Sequence, residues 1–217
     1  MNRLARIAVI NYGLGNLHSV CKAVERCGGK YRVAERAEDL KETDGIILPG
    51  VGAFDPAMDF MRRNGLDQTV LRLYEQGVPV LGICLGMQLL YQSSEEGKLD
   101  GLGLLQGHVG MFPKSLRIKI PQMGWNTIEW PADMRLFHGL RPGTCFYFVH
   151  SYRAAWQPAA NTPSLKRAKA VYGEPFVAAI EHGHLWATQF HPEKSGADGL
   201  TIVRNFVKLC QEVQDEF

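Results

Sequence analysis

No run of apolar residues in this 217-residue chain approaches the ~18 that a membrane-spanning helix needs. The opening stretch from Met1 to Ile10 is too short and too strand-like for a signal peptide. Charge of one sign is also missing: 24 Lys and Arg balance 22 Asp and Glu, for a net charge of +2, with no basic tail or stripe to track nucleic acid. The five cysteines (Cys21, Cys27, Cys84, Cys145 and Cys210) are odd in number and scattered. That pattern excludes a disulfide framework and offers no Cys-x-x-Cys metal spacing, so reduced thiols in the cytoplasm are expected. A Walker sequence and a Gly-rich phosphate fingerprint are absent as well. His182 and His184 stand one residue apart, but no carboxylate or cysteine lies at ligand spacing nearby, so neither a metal nor a cofactor is expected.

What is present reads as one α/β domain spanning residues 1–217, with no linker, repeat or low-complexity segment. Apolar runs at Leu4 to Ile10, Tyr31 to Ala34, Asp44 to Pro49 and Val78 to Leu81 predict buried strands. Between them lie helical patterns, one capped by Asn16 and ended at Gly28-Gly29, another running up to Gly77. Such alternation predicts an open, mostly parallel twisted sheet with helices on both faces. From Leu102 to Gln189 the pattern shifts to short strands and turns, which predicts a smaller mixed or antiparallel region with a hairpin at His182-Gly183-His184. A last helix is expected from about Ala197 to Gln214.

The most informative segment is Gly82-Ile83-Cys84-Leu85-Gly86-Met87-Gln88, which follows one of those strands and opens a helical pattern. Gly-x-Cys-x-Gly at a strand-to-helix junction is the thiol form of a nucleophile elbow. Glycines on either side permit a tight turn and close helix–strand packing. The turn lifts the sulfur to a helix N-terminus, where free N–H groups stabilise negative charge. Gln88, one turn further on, projects from the same face. The bland alternative is a small cysteine lost in the core.

A second motif, Gln189-Phe190-His191-Pro192-Glu193-Lys194, argues against that alternative. His191 and Glu193 alternate along an extended segment, so their side chains lean to one side. A carboxylate on one imidazole nitrogen fixes the tautomer and stabilises the imidazolium. Cys84, His191 and Glu193 thus supply nucleophile, base and orienter for thiol-based acyl transfer. Attack on an amide carbonyl also needs two oxyanion donors. The loop Pro49-Gly50-Val51-Gly52, at the end of the third strand, is expected to give one at Val51 or Gly52, and Leu85 N–H the other.

With these motifs the chain resembles the class I, triad-type glutamine amidotransferases. Within them it is most similar to the glutaminase subunits of imidazole glycerol phosphate synthase. Met123-Gly124-Trp125-Asn126, Tyr147-Phe148-Val149-His150-Ser151-Tyr152 and Phe190-His191-Pro192-Glu193-Lys194-Ser195 carry that closer resemblance. Gln122 departs from the pattern, since the family usually has histidine there. The resemblance implies that glutamine is hydrolysed through a Cys84 thioester and held by Gly50, Gly52, Gln88, Glu96 and the turn at His150, Ser151 and Tyr152. It implies a (β/α)₈-barrel cyclase as the partner that takes up the ammonia, forming imidazole glycerol phosphate and an aminoimidazole carboxamide ribotide. Asn16, Trp125 and Lys194 are then expected at or near the subunit interface. Two other readings stay open: a paralogue feeding ammonia to a different synthase, and a silent scaffold that kept the fold.

Overall fold

Strands rich in Ile, Val, Leu and Ala on both sides can be stable only if helices cover both faces of their sheet. The arrangement meets that demand in a computed structural model that describes residues 3–13, 17–50, 52–157 and 164–215. In chain order the elements are β1 (Arg6–Ile10), α1 (His18–Arg26), β2 (Lys30–Ala34), β3 (Gly45–Leu48), α2 (Phe54–Arg63), α3 (Leu66–Glu75), β4 (Val80–Ile83) and α4 (Leu85–Leu89). They continue as β5 (Tyr91–Ser94), β6 (Leu105–Met111), β7 (Gln122–Thr127), β8 (Cys145–His150), β9 (Tyr152–Ala154), β10 (Leu165–Tyr172), β11 (Glu174–His182), β12 (Leu185–Thr188) and α5 (Gly196–Asp215).

Seven strands form the main sheet in the order β10-β11-β12-β4-β3-β1-β2. The five from β12 to β2 are parallel, while at one edge β11 pairs antiparallel with β12 and β10 antiparallel with β11. Strand periodicity divides the core in two. Ile7, Val9, Ile47, Leu81 and Ile83 point to one face, where α1 lays Val20, Cys21 and Val24 and α5 lays Val203, Phe206, Val207 and Cys210. Ala8, Ile10, Ile46, Leu48 and Val80 point to the other, against Phe54, Met58 and Met61 of α2 and Leu66 and Val70 of α3. At ~25 cal/mol per Å² of apolar surface, each large side chain so buried contributes about 1.5–3 kcal/mol, an upper estimate.

The expected strands and the hairpin at Gly183 are present, with two differences in the helices. The helical stretch before Gly77 breaks at Asn64-Gly65 into α2 and α3. The first helix begins at His18, with Leu17 at its cap position, and Asn16 lies outside the described residues. The second-half strands are mixed and antiparallel, as expected, and are shared among three sheets. β10 to β12 extend the main sheet, β5, β6 and β9 form a three-stranded sheet, and β7 and β8 form a two-stranded ribbon. Among the described residues, no helix is long and apolar enough to cross a membrane.

Candidate active site

Three neighbouring parallel strands end at the same edge, and each delivers one part of the site. β4 lies between β3 and β12, with Thr188 paired to Ile83 and Leu48 to Gly82. The loop after β3 carries Gly50 and Gly52, the turn after β4 carries Cys84, and the segment after β12 carries His191 and Glu193. Residues more than 100 positions apart are therefore placed side by side by sheet topology alone. Cys84 N–H bonds to the Thr188 carbonyl at 2.7 Å, carrying the pairing one step past the strand ends.

The turn at Cys84 is a true elbow. Its φ of 49° and ψ of −103° put an L-residue in a region that costs roughly 1–3 kcal/mol. Both flanking glycines are sterically required. A Cβ on Gly86 would lie 1.9 Å from the Leu48 carbonyl oxygen, and one on Gly82 would lie 2.8 Å from the Gly86 carbonyl carbon. The helix after the elbow is shorter than the sequence pattern suggested, five residues in α4 before β5 begins. Local free N–H groups, more than an accumulated helix dipole, are thus what the turn offers to negative charge.

His191 is 1% exposed, and its Nδ1 lies 2.8 Å from Glu193 Oε1. Nδ1–H donates to the carboxylate, which leaves Nε2, a buried atom, as the end turned to the thiol. Burial alone would push this imidazole down. The charge and hydrogen bonding of Cys84, followed by those of Glu193, outweigh it and raise the ring to about 10. Gly50 is wedged between Cys84 and His191: a Cβ there would sit 2.7 Å from Cys84 Cβ and 3.0 Å from His191 Cε1.

Cys84 is 6% exposed and opens onto a cleft of about 270 Å³. The cleft is also lined by Gly50, Gly52, Leu85, Gln88, Glu96, His150, Ser151 and Tyr152, so these residues meet in one place. Val51 lies outside the described residues. The Gln88 amide donates to the Tyr152 carbonyl at 3.0 Å and to Gln189 Oε1 at 3.2 Å. Glu96 accepts from Phe54 N–H at 3.0 Å, at the first residue of α2. Burial, with a smaller push from Asp55, raises its carboxyl above the usual range against the pull of that N–H. No short-range pattern announces how Glu96 is held. Asp55, 43 residues before Lys98, accepts from Lys98 N–H at 2.9 Å and from Leu99 N–H at 3.0 Å, and so fixes the loop that carries Glu96.

Gln122 and His150 face each other across the β7–β8 ribbon, 3.1 Å apart and both buried. His150 Nδ1 bonds to the Tyr152 carbonyl at 2.8 Å. Burial lowers this imidazole to about 4, so the ring is neutral at pH 7 and can donate only once. Nε2 then accepts, and a half-turn of the Gln122 amide presents the N–H it needs. Gln122 is therefore an internal partner of His150. The outer side of the same ribbon is apolar: Met123 is 64% and Trp125 59% exposed, and Trp125 meets Tyr147 edge-on at 6.1 Å. Lys194 is exposed at the end of the short turn Pro192–Lys194, beside the triad segment.

A strained thiol at a sheet edge, next to an imidazole oriented by a buried carboxylate, defines a thiol-dependent acyl-transfer enzyme. The family model for glutamine amidotransferase class-I matches residues 8–210, and this chain belongs to that family. It is similar to the imidazole glycerol phosphate synthase subunit HisH of Methanosarcina mazei, at 49% identity over 95% of this chain and 100% of the relative. The subunit of the same name from Thermosynechococcus vestitus is 45% identical over 95% of this chain and 98% of its own length. Among solved structures, the fold is shared with PurLQS from Thermotoga maritima, with a TM-score of 0.74 at 18% identity, covering 95% of this chain and 99% of that one. A structure described as glutamine amidotransferase has a TM-score of 0.72 at 18% identity, covering 94% of this chain and 98% of the other.

Proposed function

We propose that this chain is the glutaminase subunit of imidazole glycerol phosphate synthase, hydrolysing glutamine to glutamate and passing ammonia to a (β/α)₈-barrel cyclase. The observation that carries the reading is the meeting of Cys84, His191 and Glu193 at one sheet edge, in a chain 49% identical to a HisH subunit.

Glutamine enters the cleft beside Cys84. Glu96, a half-buried carboxylate with a raised proton affinity and, among the described residues, one hydrogen-bonded N–H, suits the substrate ammonium, whose charge would relieve it. Gln88, with both amide protons already donated, has its carbonyl oxygen left to accept. The backbone of Ser151 and Tyr152 and the glycines of the loop complete the contacts. His191 takes the proton from Cys84, and Glu193 on Nδ1 steadies the charged ring. The thiolate attacks the side-chain carbonyl, and Leu85 N–H with a donor from the Val51–Gly52 loop receives the oxyanion. His191 then protonates the leaving ammonia, and water activated by the same ring releases glutamate from the thioester.

Ammonia in water is largely protonated and unreactive, so a chain of this kind needs a partner that accepts it under cover. The exposed apolar strip of Met123 and Trp125, with Tyr147 against Trp125, suits that docking role, and exposed Lys194 is assigned to it by resemblance. Asn16, outside the described residues, is assigned to the same face by resemblance alone. The test is glutamine turnover by the wild type and Cys84→Ala, each with and without the barrel cyclase and its nucleotide substrate. Stimulated turnover by the wild type and none by Cys84→Ala is expected. Turnover that the cyclase leaves unchanged would remove the partner assignment, and turnover by Cys84→Ala would remove the nucleophile.

A further inference from the structure

The extended segment that presents His191 presents a second group to the same sulfur. Gln189 and His191 are alternate residues beyond the end of β12 and point to one side of the chain. Phe190, between them, points the other way and stacks on Phe146 at 4.2 Å between ring centroids. Gln189 is fully buried, at 0% exposure, with its Nε2 3.6 Å from Cys84 Sγ and its Oε1 3.2 Å from Gln88 Nε2.

The orientation of this amide is not arbitrary. Gln88 Nε2 is a donor already bonded to the Tyr152 carbonyl, so Gln189 must face it with oxygen. The N–H₂ end is then turned to the sulfur, where it suits a thiolate and where a carbonyl would repel one. A buried primary amide is costly unless its bonds are made, and an apolar side chain of equal length would fill this place without that cost. The amide is therefore explained by what it touches.

We propose that Gln189 is a catalytic residue for the glutaminase reaction, its amide N–H donating to the Cys84 thiolate on the flank not served by His191. The bond stabilises the charged sulfur before attack and holds its remaining lone pairs toward the cleft. Through Oε1 the same amide links the nucleophile to Gln88 and so to the Tyr152 turn that lines the substrate cleft. The inference rests on Cys84 being the nucleophile, as proposed above.

The experiment uses the full-length chain as wild type, Gln189→Glu and Gln189→Met. Alkylation of Cys84 by iodoacetamide is followed across pH by mass spectrometry of the Cys84 peptide, which separates it from Cys27 and Cys145. Losing a hydrogen bond to a charged atom should move the midpoint of alkylation up by about one pH unit, a tenfold change in the ionisation equilibrium. Gln189→Glu, which sets a carboxylate beside the thiolate, should move it further than Gln189→Met. Whichever variant keeps a cooperative thermal transition decides the matter, and a folded variant with the wild-type midpoint overturns the role of Gln189. Labelling of wild-type Cys84 by a glutamine-mimicking diazoketone is run in parallel. Its failure would sink the nucleophile assignment, whereas labelling with unmoved midpoints would sink only the inference about Gln189.

Discussion

Replacing Cys84 separately by Ala and by Gly isolates the strain stored at the elbow. At φ 49° and ψ −103° an L side chain is held in a sparsely populated region at a cost of roughly 1–3 kcal/mol, which glycine escapes. Both variants lose the sulfur and its contacts, so that loss cancels in the comparison. Against the relief stands the greater freedom of glycine in the unfolded chain, about 0.5–1 kcal/mol. The balance leaves Cys84→Gly more stable than Cys84→Ala by about 1 kcal/mol, the reverse of the order at an ordinary position. In a chain of this length that is about 2–4 °C in thermal midpoint, readable by calorimetry, with a matching shift in urea midpoint at constant slope. An alanine variant equal to or more stable than the glycine variant would show that the elbow is not strained and that the sulfur is not held by the fold against local preference.

Three further outcomes follow from other parts of the site. His150 is held down to about 4 chiefly by burial, whereas the unfolded chain binds a proton near 6.5, so stability is complete above pH 6.5 and falls as pH drops toward 4. At ~1.4 kcal/mol per unit the loss is about 3 kcal/mol, and urea titrations across that range should show a shallower decline in His150→Gln. Asp55→Ala frees the loop bearing Glu96 and should raise KM for glutamine by roughly tenfold while kcat stays within about twofold. The penalty should vanish for a substrate analogue lacking the α-ammonium; an equal penalty there would contradict the route through Glu96. Trp125→Ala should weaken binding of the barrel cyclase by ~30-fold or more in calorimetric titration, with the thermal midpoint of the free chain moved by less than about 2 °C.

Most of the sheet, and the meeting of Cys84, His191 and Glu193 at its edge, could be read from the sequence because each rests on short-range chemistry. Glycines two residues either side of Cys84 declare an elbow, and an alternating His191 and Glu193 declare an oriented base. Ile7 to Ile10 and Ile46 to Leu48 are apolar in succession because both faces are covered. What stayed hidden depends on distant partners. The shortness of α4 follows from β5 pairing with β6, which no helical periodicity reveals. Gln122 reads as a departure from a pattern until the ribbon register sets it opposite His150. Asp55 and Gln189 look like ordinary polar residues, since their roles require a loop 43 residues away and a sulfur 105 residues away.

The central claim is that Cys84 carries the acyl group of glutamine during turnover. Acid quenching of the chain, with the barrel cyclase proposed as its partner and glutamine at steady state, followed by peptide mass spectrometry, tests it most directly. A glutamyl mass increase confined to the Cys84 peptide, and lost in Cys84→Ser, is predicted. Turnover with no adduct at Cys84, or with an adduct on another cysteine, would contradict the account.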